Sequence, residues 1–395
     1  MASGAAKAGP LAGLKVVEFA GIGPGPMAAM LLADMGASVL RIDRTQSVDL
    51  GTRRPPRFDL LQRGKQSIAL DLKSDSGRRA ALAIAASSDA LIEGFRPGVM
   101  ERLGLGPKEC HELNPRLVYG RMTGWGQTGP LAQAAGHDIN YIAVTGALDA
   151  IGRAGQPPSI PLNVVGDFGG GSLYLAMGML AALWSSQRTG KGDVIDGAVV
   201  DGTLSLMTLH YGSVAAGLFN AERGTNVIDS GAPYYDVYQC ADNRWISIGP
   251  IEQRFYDELL NRMGFVPGEV PDRSDRARWP VIRQLFVDRF KTRTSAHWCS
   301  AMEGSECCFA PVLSMNDAHL HPHIEARNAI IEIDGIRQPA PAPRFEFNPL
   351  DKPQGPSQST RDDALAMLES WVGEEQFGLL ARQCVLDAIQ GSQKA

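Results

Sequence analysis

The residues of this chain best suited to moving protons lie in two glycine-framed segments. One is Gly136-His137-Asp138-Ile139-Asn140-Tyr141, and the other is Gly166-Asp167-Phe168-Gly169-Gly170-Gly171. A histidine and a carboxylate on separate loops can stand on opposite faces of one carbon. Removing a proton from one face and returning one to the other inverts a stereocentre, and the two groups exchange roles for the opposite enantiomer. After His137 the chain reads as a helix start, with Asp138 a good cap residue. The N–H groups free at such a terminus stabilise developing negative charge. Deprotonation beside a carbonyl puts that charge on the carbonyl oxygen, so one short segment supplies a base and the oxyanion donors. The competing readings are a merely hydrogen-bonded histidine and a turn aspartate. Three consecutive glycines are costly in entropy and are better explained by close backbone approach to a ligand.

These residues need a scaffold, and the sequence supplies alternating elements. Strands are expected at Lys15–Ala20, Ser38–Asp43, Ser67–Asp71 and Asp89–Glu93, with helices at Met27–Met35 and Gly77–Ser88. Pro26 suits a first helical turn and Gly36 a stop. Strands alternating with helices imply a mostly parallel, Rossmann-like sheet. After Gly190 the pattern changes: a strand near Val194–Val200 leads into one long helix, Gly202–Leu218. A second unit follows, with strands at Tyr234–Cys240 and Trp245–Gly249 and helices at Gln253–Met263, Pro280–Lys291 and Ser295–Glu303. The Pro-rich stretch from Arg327 to Pro356 reads as an extended return connection, and Ser359–Gly373 as a last helix. The expected fold is α/β, a large domain with a Rossmann-like parallel sheet plus a smaller α+β domain. Its expected parts are a disordered tail (1–10), the N-terminal part of the large domain (11–200), a linker helix (201–228), the small domain (229–330), and a return segment packing on the large domain (331–395).

Several function classes drop out. Gly21-x-Gly23 after a strand, with Asp43 ending the next, mimics a dinucleotide fingerprint. Pro24 and Pro26 remove N–H donors where a pyrophosphate would need them. Net charge is -5, which argues against bulk nucleic-acid binding. The six cysteines, Cys110, Cys240, Cys299, Cys307, Cys308 and Cys384, form no CxxC pair and read as reduced thiols. His319-Leu320-His321-Pro322-His323 lacks a matching carboxylate or cysteine set and reads as a surface turn, so no metal is expected. The longest apolar run, Leu173 to Trp184, is broken by Gly178 and is too short to span a bilayer. The first ten residues resemble no leader and the last four are not the peroxisomal tripeptide. A cytoplasmic enzyme is expected, with peroxisome and mitochondrion left open.

The Gly-His-Asp-Ile-Asn-Tyr string is specific, and with the Gly166-Asp167 segment the chain resembles the α-methylacyl-CoA racemases, within the family III CoA transferases. The resemblance runs from Leu11 to about Arg344. It implies an interlocked homodimer, an acyl-CoA substrate and no separate cofactor, CoA being part of the substrate. It implies His137 and Asp167 as the two bases. It also implies that Glu252 pairs with His137, although the family usually shows Ala-Ile-Glu-Pro-Gln where this chain has Pro250-Ile251-Glu252-Gln253-Arg254. For CoA it implies Arg44, the strand edge Leu70-Asp71-Leu72-Lys73, Arg96 in Gly94-Phe95-Arg96-Pro97-Gly98, Arg102, and Gly136, His137, Asp138, Ile139, Asn140 and Tyr141. Arg63 and Lys65 are further cations in this part of the chain, and phosphates favour both Arg forks and Lys point charges.

A CoA transferase, in which Asp167 would attack the thioester, is the alternative within the superfamily. His137 argues against it, because the transferases lack a histidine there. An inactive CoA-binding protein is a third reading, which the presence together of His137, Asp167 and Glu252 opposes. Racemases of lipid-like chains line the acyl path with methionines. Here the matching stretch, Asp201–Asp229, has only Met207 among Ser205, Thr208, His210, Ser213, Ala215, Ala216 and Gly217. That points to an acyl group bulkier or more polar than a branched fatty acid; a peptide-like thioester such as isopenicillin N coenzyme A is one option.

Overall fold

The computed structural model describes residues 8–46, 54–356, 360–382 and 389–391. The chain divides into two compact units. One comprises Met1–Thr145, Leu162–Leu206 and Ile330–Ala395, and the other Gly146–Pro161 and Met207–Ala329.

The first unit is built on strands β1 (Lys15–Phe19), β2 (Ser38–Asp43), β3 (Lys65–Ala69), β4 (Ala90–Glu93), β5 (Val118–Thr123) and β6 (Val194–Ala198). They lie in the order β3-β2-β1-β4-β5-β6, and every pairing among them is parallel. Gln390–Gly391 adds an antiparallel edge on β3. Successive residues point to opposite faces of a strand, and here both faces are covered. Val16, Val39 and Ile92 enter one core with Ala28, Leu32, Leu175 and Met179. Their neighbours Val17, Leu40 and Leu91 enter another with Ile84, Tyr119, Leu368 and Trp371. Strands buried on both faces explain why these segments read as apolar runs. The order reverses between β1 and β4, and in such sheets ligands bind at the carboxyl ends of the strands beside that switch.

Around the sheet, the helix Pro24–Asp34 begins at Pro24, three residues before the expected Met27. Asp75–Ala86 is capped by Ser74, whose Oγ accepts from the Gly77 N–H at 3.0 Å. The Asp167 segment departs from expectation. It is a helix, not a loop: Val164–Leu173 is wound with π-type bonds, Phe168 N–H reaching the Asn163 carbonyl at 3.2 Å. It runs directly into Tyr174–Thr189. The two make 26 helical residues apolar enough, by length and composition, to cross a membrane, longer than the run read from the sequence. Leu175, Met179 and Leu183 of this stretch pack into the sheet's core, the place of a core helix. The glycines are explained by backbone packing: a Cβ on Gly202 would lie 1.8 Å from the Gly170 carbonyl oxygen, and one on Gly170 2.7 Å from the Thr203 nitrogen.

Other expectations need correction. The helix expected at Gly202–Leu218 is two, Val199–Leu206 and Thr208–Ala215, with Met207 between them. The Pro-rich return contains an antiparallel hairpin, Ile330–Ile333 with Ile336–Pro339. Of the expected tail, residues 1–7 lie outside the described residues, and the Ala8 N–H donates to Asp351 Oδ2 at 2.8 Å. The helix Arg361–Val372 is not the last, as expected: a further helix, Glu374–Arg382, follows it.

The second unit carries a three-stranded antiparallel sheet, Asp236–Gln239, Trp245–Ile248 and Phe309–Val312. Helices Gln253–Arg262, Trp279–Phe290 and Ser295–Met302 accompany it. Tyr238, Tyr256, Trp279, Phe286, Phe290 and Trp298 form its aromatic core. Asp236 is buried at the start of this sheet and accepts from both Arg153 and Arg283. Of the three adjacent histidines, His321 uses both ring nitrogens: Nδ1 accepts the His323 N–H at 3.2 Å and Nε2 meets Glu303 at 2.7 Å.

Candidate active site

The carboxyl ends of the parallel strands gather most of the expected site. Arg44 directly follows β2, Leu70-Asp71-Leu72-Lys73 follows β3, and Gly94–Gly98 follows β4. The Arg44 guanidinium lies 5.4 Å from the centre of the Phe95 ring, a cation–π distance. Arg44, Asp71, Lys73, Arg96 and Arg102 are exposed, while Leu70 is buried and Leu72 half-buried. A Cβ on Gly98, whose φ is +80°, would meet Arg102 Nη1 at 3.1 Å, so Arg102 folds back over the Gly94–Gly98 turn. The Asp71 carboxylate accepts the Lys73 N–H at 3.0 Å and shapes that corner.

Beneath this rim lies a charge network that the motif reading missed. Glu93 and Arg121 are register partners on β4 and β5. The Arg121 Nε donates to Glu93 at 3.0 Å, and its Nη1 to Glu101 at 2.8 Å. The other Glu93 oxygen accepts the Phe95 N–H at 2.7 Å. Burial pushes the Glu93 carboxyl up to about 7, against the pull of that N–H and of Arg121. The signal was present in the sequence as single charges of opposite sign inside two apolar strands. Arg63 and Lys65, by contrast, are not phosphate ligands. Arg63 is buried, donating to both Asp34 oxygens, the nearer at 2.5 Å, and to the Pro339 carbonyl at 2.7 Å. Lys65 is buried against Glu18 at 2.5 Å and the Pro26 carbonyl at 2.9 Å. A charge removed from water is kept by such partners.

After β5 the chain returns to the same edge. A Cβ on Gly124 would fall 2.0 Å from the Tyr141 ring and one on Gly136 2.7 Å from it, so the ring lies directly on the backbone. Trp125 meets Tyr141 edge-on at 4.9 Å between centroids, and the Tyr141 hydroxyl donates to the Gly136 carbonyl. This packing orients the helix Asp138–Ala143, of which His137 is the extended cap residue and is exposed. The His137 N–H donates to Asn140 Oδ1 at 3.1 Å. Helix geometry leaves the first N–H groups, from Asp138 onward, without intrahelical acceptors. Ile139 is partly exposed beside them.

Asp167 lies in the first turn of the π-type stretch. Its N–H donates to Asp138 Oδ1 at 2.7 Å, and Asn163 Nδ2 approaches its Oδ2 at 3.4 Å. A Cβ on Gly23, the residue before the Pro24–Asp34 helix, would stand 3.1 Å from the same Oδ2. Burial lifts the Asp167 carboxyl to about 6, and the Asp138 charge adds to the rise, whereas Asn163 and His137 pull it down. The His137 charge thus reaches Asp167 within the first unit. Glu252 belongs to the second unit, where it is the exposed cap residue of Gln253–Arg262; burial and, after it, the Glu252 charge push the Cys308 thiol up.

Comparison with known proteins agrees with this architecture. The sequence profile of CoA-transferase family III matches residues 11–360. The α-methylacyl-CoA racemase of Mus musculus is 42% identical over 333 residues, 84% of this chain and 85% of its own. That of Homo sapiens is 42% identical over 336 residues, 84% and 86% of the two chains. The acetyl-CoA:oxalate CoA-transferase of Acetobacter aceti is 29% identical over 376 residues, 90% and 95%. Among solved structures, a CAIB/BAIF family protein from Brucella suis superposes with a TM-score of 0.80 at 25% identity, over 92% of this chain and 100% of that one. By the profile match and these relatives, the chain belongs to CoA-transferase family III.

Proposed function

We propose that this protein is an isomerase that inverts the α-carbon of a 2-substituted acyl-CoA thioester. One base removes the α-proton, an enolate forms against the N–H groups at the start of the Asp138–Ala143 helix, and the opposite acid returns a proton. His137 serves one face and Asp167 the other. The observation that carries the reading is their juxtaposition at the carboxyl edge of the sheet. The carboxyl of Asp167, raised to about 6, is placed to act as both acid and base near neutral pH. The similarity to the racemases supports it too. CoA serves as carrier within the substrate, with no separate cofactor. Its nucleotide is read as lying along Arg44, Leu70–Lys73, Arg96 and Arg102, and its thioester end along Gly136–Tyr141.

In this reading Glu252 supports His137 from the partner chain of an interlocked homodimer. A fully active monomer at assay concentration would overturn that arrangement. The small and polar residues around His210 and Ser213 support an acyl group bulkier or more polar than a branched fatty acid, isopenicillin N coenzyme A among them. Transferase chemistry, with Asp167 as nucleophile, is the second reading, favoured by the likeness to the oxalate transferase.

The deciding experiment offers 2-methylacyl-CoA and 2-amino-type acyl-CoA esters in deuterated water with no free acid present. Deuterium should enter the α-position catalytically. In a parallel assay with a free acid added, transfer of CoA to that acid without α-exchange would replace the proposal with the transferase. Arg96→Ala and Arg102→Ala should each weaken the substrate by about 1–3 kcal/mol, the worth of a charge-assisted hydrogen bond. The loss should fall on KM with kcat nearly unchanged, since the phosphates are remote from the reacting carbon. Unchanged KM in both variants would place the nucleotide elsewhere.

A further inference from the structure

Asp138 touches both halves of the proposed base pair. Its own peptide follows His137 directly. Its side chain is buried, and Oδ1 accepts the Asp167 N–H at 2.7 Å. The fit on the far side is tight. A Cβ on Gly166 would fall 2.4 Å from Asp138 Oδ1 and 2.7 Å from Ile142 Cγ2. The second oxygen, Oδ2, is also buried and has no hydrogen-bond partner among the described residues. Leaving a carboxylate oxygen in that state is costly, so this side chain is not held there by its own stability.

We propose that the Asp138 carboxylate is a positioning residue, a strut that sets the spacing between His137 and Asp167. This rests on the two-base reading above. The strut fixes the Asp167 peptide to the residue after His137, and the carboxylate of Asp167 is then carried at one χ1 from a fixed backbone. Misplacing a reacting group by about 1 Å can cost on the order of 100-fold in rate, so a rigid tether between the bases has a direct kinetic value. The strut also brings a like charge to Asp167, alongside His137 and the nearby Tyr141, the other titratable groups that act on or respond to it. Gly23 abuts its Oδ2 from the side of the Pro24–Asp34 helix.

The test uses the full-length protein and three variants. Asp138→Ala removes the strut, and kcat for racemisation should fall roughly 100-fold with KM changed by less than about 3-fold. Gly166→Ala pushes on the same contact from the other side and should reproduce that split. Asp138→Asn keeps an oxygen acceptor for the Asp167 N–H and should retain activity within about 10-fold. It removes the like charge, so the pH at which exchange through Asp167 as base is half lost should move down from about 6. A cooperative urea transition with a midpoint near the wild type's in each variant shows the fold intact. The wild-type exchange in deuterated water is read first, because its absence would sink the two-base reading itself. If the wild type exchanges and Asp138→Ala still racemises near its rate, the strut alone is overturned. It is overturned equally if Asp138→Asn, which keeps the acceptor, loses as much activity as Asp138→Ala.

Discussion

In deuterated water, His137→Ala should lose α-exchange with one enantiomer of the substrate and keep a measurable part with the other. Asp167→Asn should show the reverse preference. In the proposed mechanism each group serves one face, so each variant retains the base that serves the face left intact. Net inversion needs one group to remove the proton and the other to return it, and should fall further than either surviving exchange. General acid–base groups contribute about 10²–10⁴-fold, so the loss lies far above assay noise. Following both enantiomers by NMR separates the cases. Equal loss of exchange with both enantiomers in both variants would favour a single base and a mobile enolate. Transferase chemistry forecasts another pattern, in which Asp167→Asn abolishes transfer and His137→Ala matters little.

The largest effect expected on stability comes from Gly202→Ala. The new methyl would lie 1.8 Å from the Gly170 carbonyl oxygen and 2.7 Å from its carbon, so relief requires one helix to move off the other. Overpacking a core with flexible side chains costs about 1–3 kcal/mol, and a clash with backbone should cost about 3 kcal/mol or more by the same principle. Gly212→Ala is the matched control, since it lies inside the Thr208–Ala215 helix with nothing within 4 Å of its Cβ position. That change should stabilise by about 0.4–1 kcal/mol, by restricting the unfolded chain. Urea midpoints of the two variants decide the matter. A Gly202→Ala protein with a native midpoint would mean that the two backbones are not in contact.

Much of the large unit was legible because its strands announce themselves locally. Lys15–Phe19, Ser38–Asp43 and Ala90–Glu93 fall within one residue of the expected limits, since β-branched, doubly buried strands carry their signal in their own residues. The Asp167 segment was misread for a physical reason. Three glycines look like a loop when only entropy is weighed, yet the apposed glycine that makes them a helix, Gly202, comes from a later helix. Arg63 and Lys65 look like free cations because their partners, Asp34 and Glu18, lie 29 and 47 residues away. The hairpin at Ile330–Pro339 was hidden by the prolines that follow it. The site residues themselves were visible as motifs, but the bond from the Asp167 N–H to the Asp138 side chain spans 29 residues and leaves no local trace.

The large unit is assembled from three stretches of chain separated by the whole of the second unit. Ala364, Leu368, Trp371, Leu380 and Ile389, all in the last stretch, complete the core that Val17, Leu40, Ile68 and Leu91 begin. During synthesis, then, the sheet can form as β6 emerges, but one of its apolar faces, covered only in part by the Asp75–Ala86 helix, is not closed until the end of the chain arrives. At about 5–20 residues per second the segment between Leu206 and Ile330 delays that closure by roughly 6–25 s. A nascent chain in that interval presents a ready surface to chaperones, and removing residues from the Arg361–Val372 helix onward should yield an aggregating product even though every proposed catalytic residue is still present.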